Sequence, residues 1–372
     1  MKPYLSIVIP YYNSADTIGT LLTSIARSRN APPYEVIVVD DGSVPKFEIR
    51  NMKSEPYGKS TSGLISRRKF PLRSLRLNHN MGPAAARNRG VKAARGKFVV
   101  FLDSDVELFP DTLHNLARVF ITDPDVVALT GVWVKEQRTG DFFPNFKALR
   151  DWSYWINERD KSGYYYLFST RIASIKRSVF TRLGGFDEKY PGALVEDIEL
   201  TYRIARRYAI IFASDVRVRH EFEGFWPIAR KYFLRAYHWT KLYARRKKFD
   251  PVATTLWEAI AALSGAGTLA VGLIWIMSLI TVTLGIMNYD LRITNILLRS
   301  PLFVLLNSFF VILLSVHLFL VRKFLIFMYR EKGGWFAVRG FVVGLILYLF
   351  IFSGAVWGRV SQRIIKLQMS PR

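Results

Sequence analysis

The chain contains no cysteine among its 372 residues. That excludes a disulfide framework, thiolate catalysis and any metal site built on sulfur. Acids are scarce too: 29 Asp and Glu against 53 Lys and Arg leave a formal net charge of +24. So large an excess predicts an anionic partner, whether nucleic acid, anionic lipid or a phosphorylated substrate. Many of the cations flank long apolar runs and no nucleic-acid-binding signature accompanies them, which argues against nucleic acid. At the start, Leu5 to Ile9 is too short for the apolar stretch of a signal peptide. It reads as a strand, so the N-terminal domain is expected in the cytosol.

What the chain has in abundance is apolar surface. Hydrophobic residues make up 50% of the sequence, and the mean hydropathy is +0.13 despite the charge. Those two facts fit a basic soluble part joined to a membrane part. The length allows two or three domains.

Strand-like and helix-like runs alternate over the first half. Leu5 to Pro10 and Tyr34 to Val39 read as strands. Ser14 to Ser28 reads as a helix with Ile18, Leu21, Leu22 and Ile25 on one face and Ser14 at the N-cap. Residues 45–72 break the rhythm with Lys46, Arg50, Lys53, Lys59, Arg67, Arg68 and Lys69 among Gly, Ser and Pro, a solvated basic loop. Ser74 to Leu77 reads as a strand. Pro83 to Ala94 is a helix with Pro83 in its first turn, and Pro110 to Phe120 is another. This alternation predicts an α/β domain with a mostly parallel sheet covered on both faces.

Residues 225–248 carry Phe225, Ile228, Tyr232, Phe233, Trp239 and Tyr243 at helical spacing, with Arg and Lys largely elsewhere. Such a basic, aromatic helix suits a membrane surface; the alternative is a core-facing helix with a solvated side. Three apolar segments follow: Leu256 to Met287, Pro301 to Val321 and Phe341 to Trp357. The first two reach the ~20 residues that cross a bilayer, and the third is at the short end. The first is long enough to be tilted, kinked near Gly265 and Gly267, or partly interfacial. The expected division is residues 1–224 as an α/β domain, 225–250 as an interface helix and 251–372 as a membrane region. The loop after the second segment carries Arg322, Lys323, Arg330, Lys332 and Arg339, whereas the loop after the first has Arg292 and Arg299. The positive-inside rule then places the N-terminal domain and the richer loop on the cytosolic face of the cell membrane. With three spans, the basic tail holding Arg359, Arg363, Lys366 and Arg372 falls outside, against the same rule.

The run Phe98-Val99-Val100-Phe101-Leu102 empties into Asp103-Ser104-Asp105. It reads as a buried strand, and acids at the carboxyl edge of an open sheet sit where such folds hold ligands. Asp-x-Asp there can hold a hard divalent cation; an acidic turn is the plainer alternative. Asp40-Asp41-Gly42-Ser43 after Val39 is likewise compatible with a simple turn.

Taken together, the motifs resemble a family 2 glycosyltransferase of GT-A fold. They are Ser6-Ile7-Val8-Ile9-Pro10-Tyr11-Tyr12-Asn13, Val38-Val39-Asp40-Asp41-Gly42-Ser43, Asn80 to Gly90, Phe101 to Asp105, Gly184-Gly185-Phe186-Asp187-Glu188 and Glu196-Asp197. The resemblance covers residues 4–245 and implies an inverting enzyme that uses a nucleotide-diphospho-sugar. It implies that Asp41 reads the donor's base, with Pro10 and Tyr12 lining it. Asp103 contacts the ribose or supports the metal, and Asp105 is the leading ligand of Mg2+ or Mn2+. It implies Asp197 as the general base and Glu196 beside it on the acceptor side, where Asp187 meets sugar hydroxyls. Gly82 opens a helix whose N–H groups can face the donor, and Arg87 or Asn88 can reach it or lie on the helix surface. His220 is a metal or phosphate ligand in this reading and a structural histidine in the alternative. Trp133, Trp152, Tyr154, Trp155, Tyr164, Tyr165 and Tyr166 can stack on sugars but are mostly expected in the core or at the membrane.

One departure bears on the product. The Gln-x-x-Arg-Trp motif of processive synthases is absent; the corresponding stretch reads Lys231 to Trp239. A single transfer is expected, to a hydroxyl of a lipid or lipid-linked glycan in cell-envelope glycan or glycolipid synthesis. A polyprenyl phosphate acceptor is the alternative, and an inactive scaffold or a nucleic-acid-binding basic protein is the reading from another class.

Overall fold

The computed structural model describes residues 2–48, 71–158, 166–190, 192–249, 255–287 and 300–369. Most of the basic loop, together with Tyr164 and Tyr165, lies outside the described residues. Contacts divide the chain into two units, residues 1–148 with 160–223, and residues 149–159 with 224–372.

The first unit is built on strands whose apolar runs are buried on both faces. β1 (Leu5–Tyr11) and β2 (Tyr34–Asp40) frame α1 (Ala15–Ala26). Ile18, Leu21, Leu22 and Ile25 are buried as the spacing predicts. Ser14 precedes the helix but makes no side-chain cap; its hydroxyl donates back to the Tyr12 carbonyl at 2.9 Å. β3 (Leu72–Arg76), α2 (Pro83–Ala93) and β4 (Phe98–Leu102) follow. Next come β5 (Val106–Leu108), α3 (Thr112–Thr122), β6 (Ala128–Trp133), α4 (Phe142–Trp152), β7 (Ile172–Lys176), α5 (Arg177–Arg182), α6 (Glu196–Ala205) and β8 (Ile211–His220).

One eight-stranded sheet runs in the order β3-β2-β1-β4-β7-β6-β8-β5. The pairs β1–β2, β2–β3, β1–β4 and β6–β8 are parallel. β7 is antiparallel to both β4 and β6, and β5 is antiparallel to β8. The sheet is therefore mixed: apolar runs announce a strand but not its direction. The chain steps from β1 out to β3, then crosses to β4 on the other side of β1. That reversal opens a crevice beyond the carboxyl ends of β1 and β4, the place where open α/β sheets hold ligands.

The second unit is helical: α7 (Phe225–Arg246), α8 (Leu256–Met287), α9 (Pro301–Lys332) and α10 (Gly334–Met369). Among the described residues, three stretches are long and apolar enough to cross a membrane: Leu256–Thr281, Phe303–Lys332 and Gly334–Ile364. α9 and α10 run past the expected apolar limits because the Lys and Arg beyond them are good helix formers. Gly265 and Gly267 mark no break in α8. They are contact points, facing His317 and Leu313 of α9, and small residues of this kind let apolar helices approach closely. The Ser264 hydroxyl meets His317 Nδ1 at 3.2 Å in the same seam. α7 packs along α10: the rings of Phe225 and Trp226 lie 6.2 Å and 6.4 Å from Phe350.

Candidate active site

The loops after β1 and β2 are clasped together. The Asn13 N–H donates to Ser43 Oγ at 3.0 Å, and Asn13 Oδ1 accepts from the Val44 N–H at 3.0 Å. Asp40 fixes this turn, accepting from the N–H groups of Ser43 (2.8 Å) and Phe47 (2.9 Å) and from Arg76 Nη1 (2.6 Å). Burial alone would raise the Asp40 pKa, but those hydrogen bonds and the Arg76 charge hold it below the usual carboxylate range. Beside it, Tyr12 stands 48% exposed at the end of β1, next to the half-buried Pro10.

Asp41 is only 2% exposed. Its two oxygens accept from the N–H groups of Met81 at 2.7 Å and Gly82 at 2.8 Å. Burial raises its pKa against those bonds. Two expectations change here. The Gly82 N–H does not face the crevice, because it is spent on Asp41 and on Asn80 Oδ1 at 3.0 Å. Asp41 holds the turn that starts α2 and offers a ligand only its remaining lone pairs.

Arg87, read as reaching the donor or lying on the helix surface, is 2% exposed on the buried face of α2. Its Nη2 donates to Asp103 Oδ1 at 2.7 Å and its Nη1 to Glu196 Oε1 at 3.0 Å. The guanidinium also lies 5.5 Å over the Phe186 ring. Burial would lower its pKa, but the two carboxylates keep it above the ordinary arginine value. Glu196 is 2% exposed and its second oxygen accepts from the Leu194 N–H at 2.8 Å. Both of its oxygens are thus engaged within the protein, and it anchors Arg87. The fork ties the end of β4 to the start of α6, and Arg87 and Glu196 themselves are 109 residues apart. Asp197, next on α6, is partly exposed, and its Oδ1 accepts from the Ile198 N–H at 2.8 Å.

The pairing of β5 with β8 places Val106 opposite His220. Asp105, one residue earlier, therefore meets the histidine: Oδ2 lies 3.3 Å from His220 Nε2, with side chains 44% and 11% exposed. Burial raises the Asp105 pKa, but the hydrogen bond and charge of His220, with Arg171 nearby, bring it net below the carboxylate range. Among the described residues, His220 Nδ1 is buried without a hydrogen-bond partner, and no three His, Asp or Glu side chains form a closed metal cage. Two of the expected metal ligands are thus together, and Asp103 is held separately by Arg87. Sequence reasoning missed Arg171, whose guanidinium lies 4.4 Å over the Trp133 ring; no motif marks it.

The loop from Gly184 to Glu188 hangs on Asn88. Its Oδ1 accepts from the Phe186 N–H at 2.9 Å, and its Nδ2 donates to the Phe186 carbonyl at 2.9 Å and Glu188 Oε1 at 2.8 Å. Asn88 therefore holds the loop in place. Asp187 Oδ1 accepts from the Lys189 N–H at 3.0 Å, which shapes the loop's tip. Gly185 has φ +71°, and a Cβ there would come 2.5 Å from Asn88 Oδ1. Gly185→Ala is expected to cost roughly 1–3 kcal/mol of stability through strain and to raise the KM for acceptor, read by thermal unfolding and initial rates. Of the aromatic side chains, Trp133 and Tyr166 are core, 2% and 5% exposed, and Trp152 stacks on Phe327 at 5.4 Å in the helical unit.

Residues 6–183 match the family model for glycosyl transferase family 2. The chain carries a family 2 glycosyltransferase domain. The succinoglycan biosynthesis protein ExoO of Rhizobium meliloti is 34% identical over 138 residues, 35% of each chain. An undecaprenyl-phosphate 4-deoxy-4-formamido-L-arabinose transferase of Pseudomonas fluorescens is 33% identical over 134 residues, 34% of this chain and 36% of that one. The validoxylamine A glucosyltransferase of Streptomyces hygroscopicus is 29% identical over 231 residues, 54% of this chain and 48% of that one. The match to these relatives thus spans about a third to a half of their length. Among solved structures, a mannosyltransferase of Pyrobaculum calidifontis in complex with GDP-Man and Mn2+ aligns over 96% of this chain and 87% of its own, with a TM-score of 0.50 at 17% identity. The glycosyltransferase domain therefore has the GT-A fold, and the Arg87 fork and the Asp105–His220 pair both lie within its unit.

Proposed function

We propose that this protein is a membrane-anchored inverting glycosyltransferase. It moves one sugar from a nucleotide-diphospho-sugar to a hydroxyl of a lipid or lipid-linked glycan at the cytosolic face of the cell membrane. The observation that carries the reading is the Arg87 fork, which ties Asp103, two residues before Asp105 after β4, to Glu196, next to Asp197 at the start of α6.

Pro10 and Tyr12 line the donor's base, Asp41 reads it through its remaining lone pairs, and Asp103 contacts the ribose. Asp105 and His220 suit a hard divalent cation, Mg2+ or Mn2+: one carboxylate oxygen and one imidazole nitrogen lie 3.3 Å apart. When bound, that ion offsets the charge of the departing nucleotide diphosphate. Asp197 takes the proton from the acceptor hydroxyl as that oxygen attacks the anomeric carbon. The new C–O bond forms opposite the bond that breaks, so the configuration inverts. Asp187, on the loop held by Asn88, meets acceptor or donor hydroxyls.

A second reading is favoured by the relative that acts with undecaprenyl phosphate. A phosphate acceptor is already an anion and needs no base. Asp197→Asn separates the two. For a hydroxyl acceptor it is expected to lower turnover about 10²- to 10⁴-fold while donor affinity, titrated with Mn2+ on the detergent-solubilised chain, stays unchanged. Full turnover in the folded variant would remove Asp197 as base and select the phosphate acceptor.

A further inference from the structure

Two glycines bring α7 and α10 into backbone contact. A Cβ on Gly354 would overlap the Phe233 carbonyl, and one on Gly358 would lie 2.8 Å from that of Tyr237. Phe225 meets Phe350, Phe233 meets Gly354 and Tyr237 meets Gly358, so the two helices run side by side in the same direction. Where α7 ends they border an open cavity of about 450 Å³, lined by Tyr243, Ala244, Lys247, Arg359, Gln362 and Arg363. Lys247 is held at its rim by the chain itself: its φ is +56° and its N–H donates to the Tyr243 carbonyl at 2.7 Å. The Arg359 guanidinium lies 5.8 Å over the Tyr243 ring. Among the described residues, no carboxylate pairs with Lys247, Arg359 or Arg363.

We propose that this cavity binds the phosphate headgroup of an anionic membrane lipid, on the face of the membrane that carries the glycosyltransferase domain. Three cations and a Gln amide around one hollow complement a phosphate, and an arginine fork suits its oxygens. The cavity lies at the end of the apolar stretch Gly334–Ile364, on which Trp357, Val360 and Ile364 stand exposed, 54%, 39% and 45%. Those apolar neighbours would serve an acyl chain and are of no use to a free anion.

The site also decides the path of α10. No apolar span separates α7 from the glycosyltransferase domain. α7 itself does not cross a bilayer, because Arg230, Lys231, Arg235, Lys241, Arg245 and Arg246 would be carried into the apolar core. Arg359 and Arg363 share a cavity with the end of α7, so they lie on that same face. With α8 and α9 as the two crossings, α10 also starts there and stays there. Arg322, Lys323, Arg330, Lys332, Arg339, Arg359 and Arg363 then all fall on one face, as the positive-inside rule requires. This removes the conflict that three spans create for the tail.

The test uses the full chain in detergent. Phosphatidylglycerol at about 100 Kd is expected to raise Tm by roughly 5 °C or more, whereas phosphatidylcholine and inorganic phosphate leave it unchanged. R359Q/R363Q, and K247Q in case the double variant does not fold, should lose most of that shift. Equal shifts in wild type and both variants would overturn the site, and an equal shift from inorganic phosphate would overturn the lipid. Because the chain lacks cysteine, Ser370→Cys and Lys92→Cys can each be labelled alone in sealed vesicles with an impermeant maleimide. The same sidedness is expected for both; opposite sidedness would overturn the placement of α10.

Discussion

Asp105→Ala is expected to lower sugar transfer by at least about 10³-fold, some 4 kcal/mol of barrier. The size follows from the chemistry at the edge of the sheet. A nucleotide diphosphate leaves with several negative charges, and Asp105 is the exposed carboxylate beside His220 that can hold a cation against them. Its pKa lies below the usual range because His220 and Arg171 outweigh burial. It is therefore ionised at neutral pH and needs no proton loss to bind the ion. The measurement is donor affinity and turnover with Mn2+ and again with chelator. Wild type should lose both on chelation, and Asp105→Ala should be insensitive to it. Turnover in Asp105→Ala that still rises with Mn2+ would sink the assignment. His220→Gln should weaken the same response less, since one ligand remains.

The largest effect on stability is expected at Arg87. Arg87→Met leaves Glu196, with a side chain 3% exposed, and Asp103, 29% exposed, without their shared cation. Removing one partner of a buried ion pair costs roughly 3–5 kcal/mol, because a charge stays buried and uncompensated. In a domain of this size that lowers Tm by about 10 °C or more. Arg87→Lys should recover little, since one ammonium cannot reproduce the planar fork to two acids. Adding Glu196→Gln to Arg87→Met removes the stranded charge and should recover part of the loss. Thermal unfolding of the full chain by near-ultraviolet circular dichroism checks all three. An unchanged Tm in Arg87→Met would show that the fork does not hold β4 to α6.

The strands β1, β2 and β4 could be read from the sequence because each is a continuous apolar run ending in polar turn residues, and burial on both faces of a sheet demands that pattern. The helix that opens at Pro83 was equally readable, since proline has no N–H to leave unpaired in a first turn. Asp103, Asp105 and Asp197 were legible as a set only because several motifs occur in a fixed order.

Other roles were not. Arg87 and Glu196 look like surface charges on two helices, and nothing within a few residues of either signals that they meet. Gly82 reads as facing the donor because it opens a helix, and Asn88 as reaching the donor or lying on the helix surface, whereas their polar atoms bond to Asp41 and to the Gly184–Glu188 loop. The direction of β7 was hidden for a related reason: periodicity reports which faces are buried, not which way the chain runs. In the helical part, composition identified three segments able to span a membrane, while the cations that share the cavity between α7 and α10 lie more than a hundred residues apart.

The sequence by itself determined the domain class, the strand-end acids and the apolar helices, because each is written in local spacing and composition. Only the tertiary structure decided which buried charges neutralise one another, which N–H groups remain for a ligand and which ends of helices share a pocket. Those depend on distances between residues far apart in the chain, and local physical chemistry sets the need for a partner without naming it.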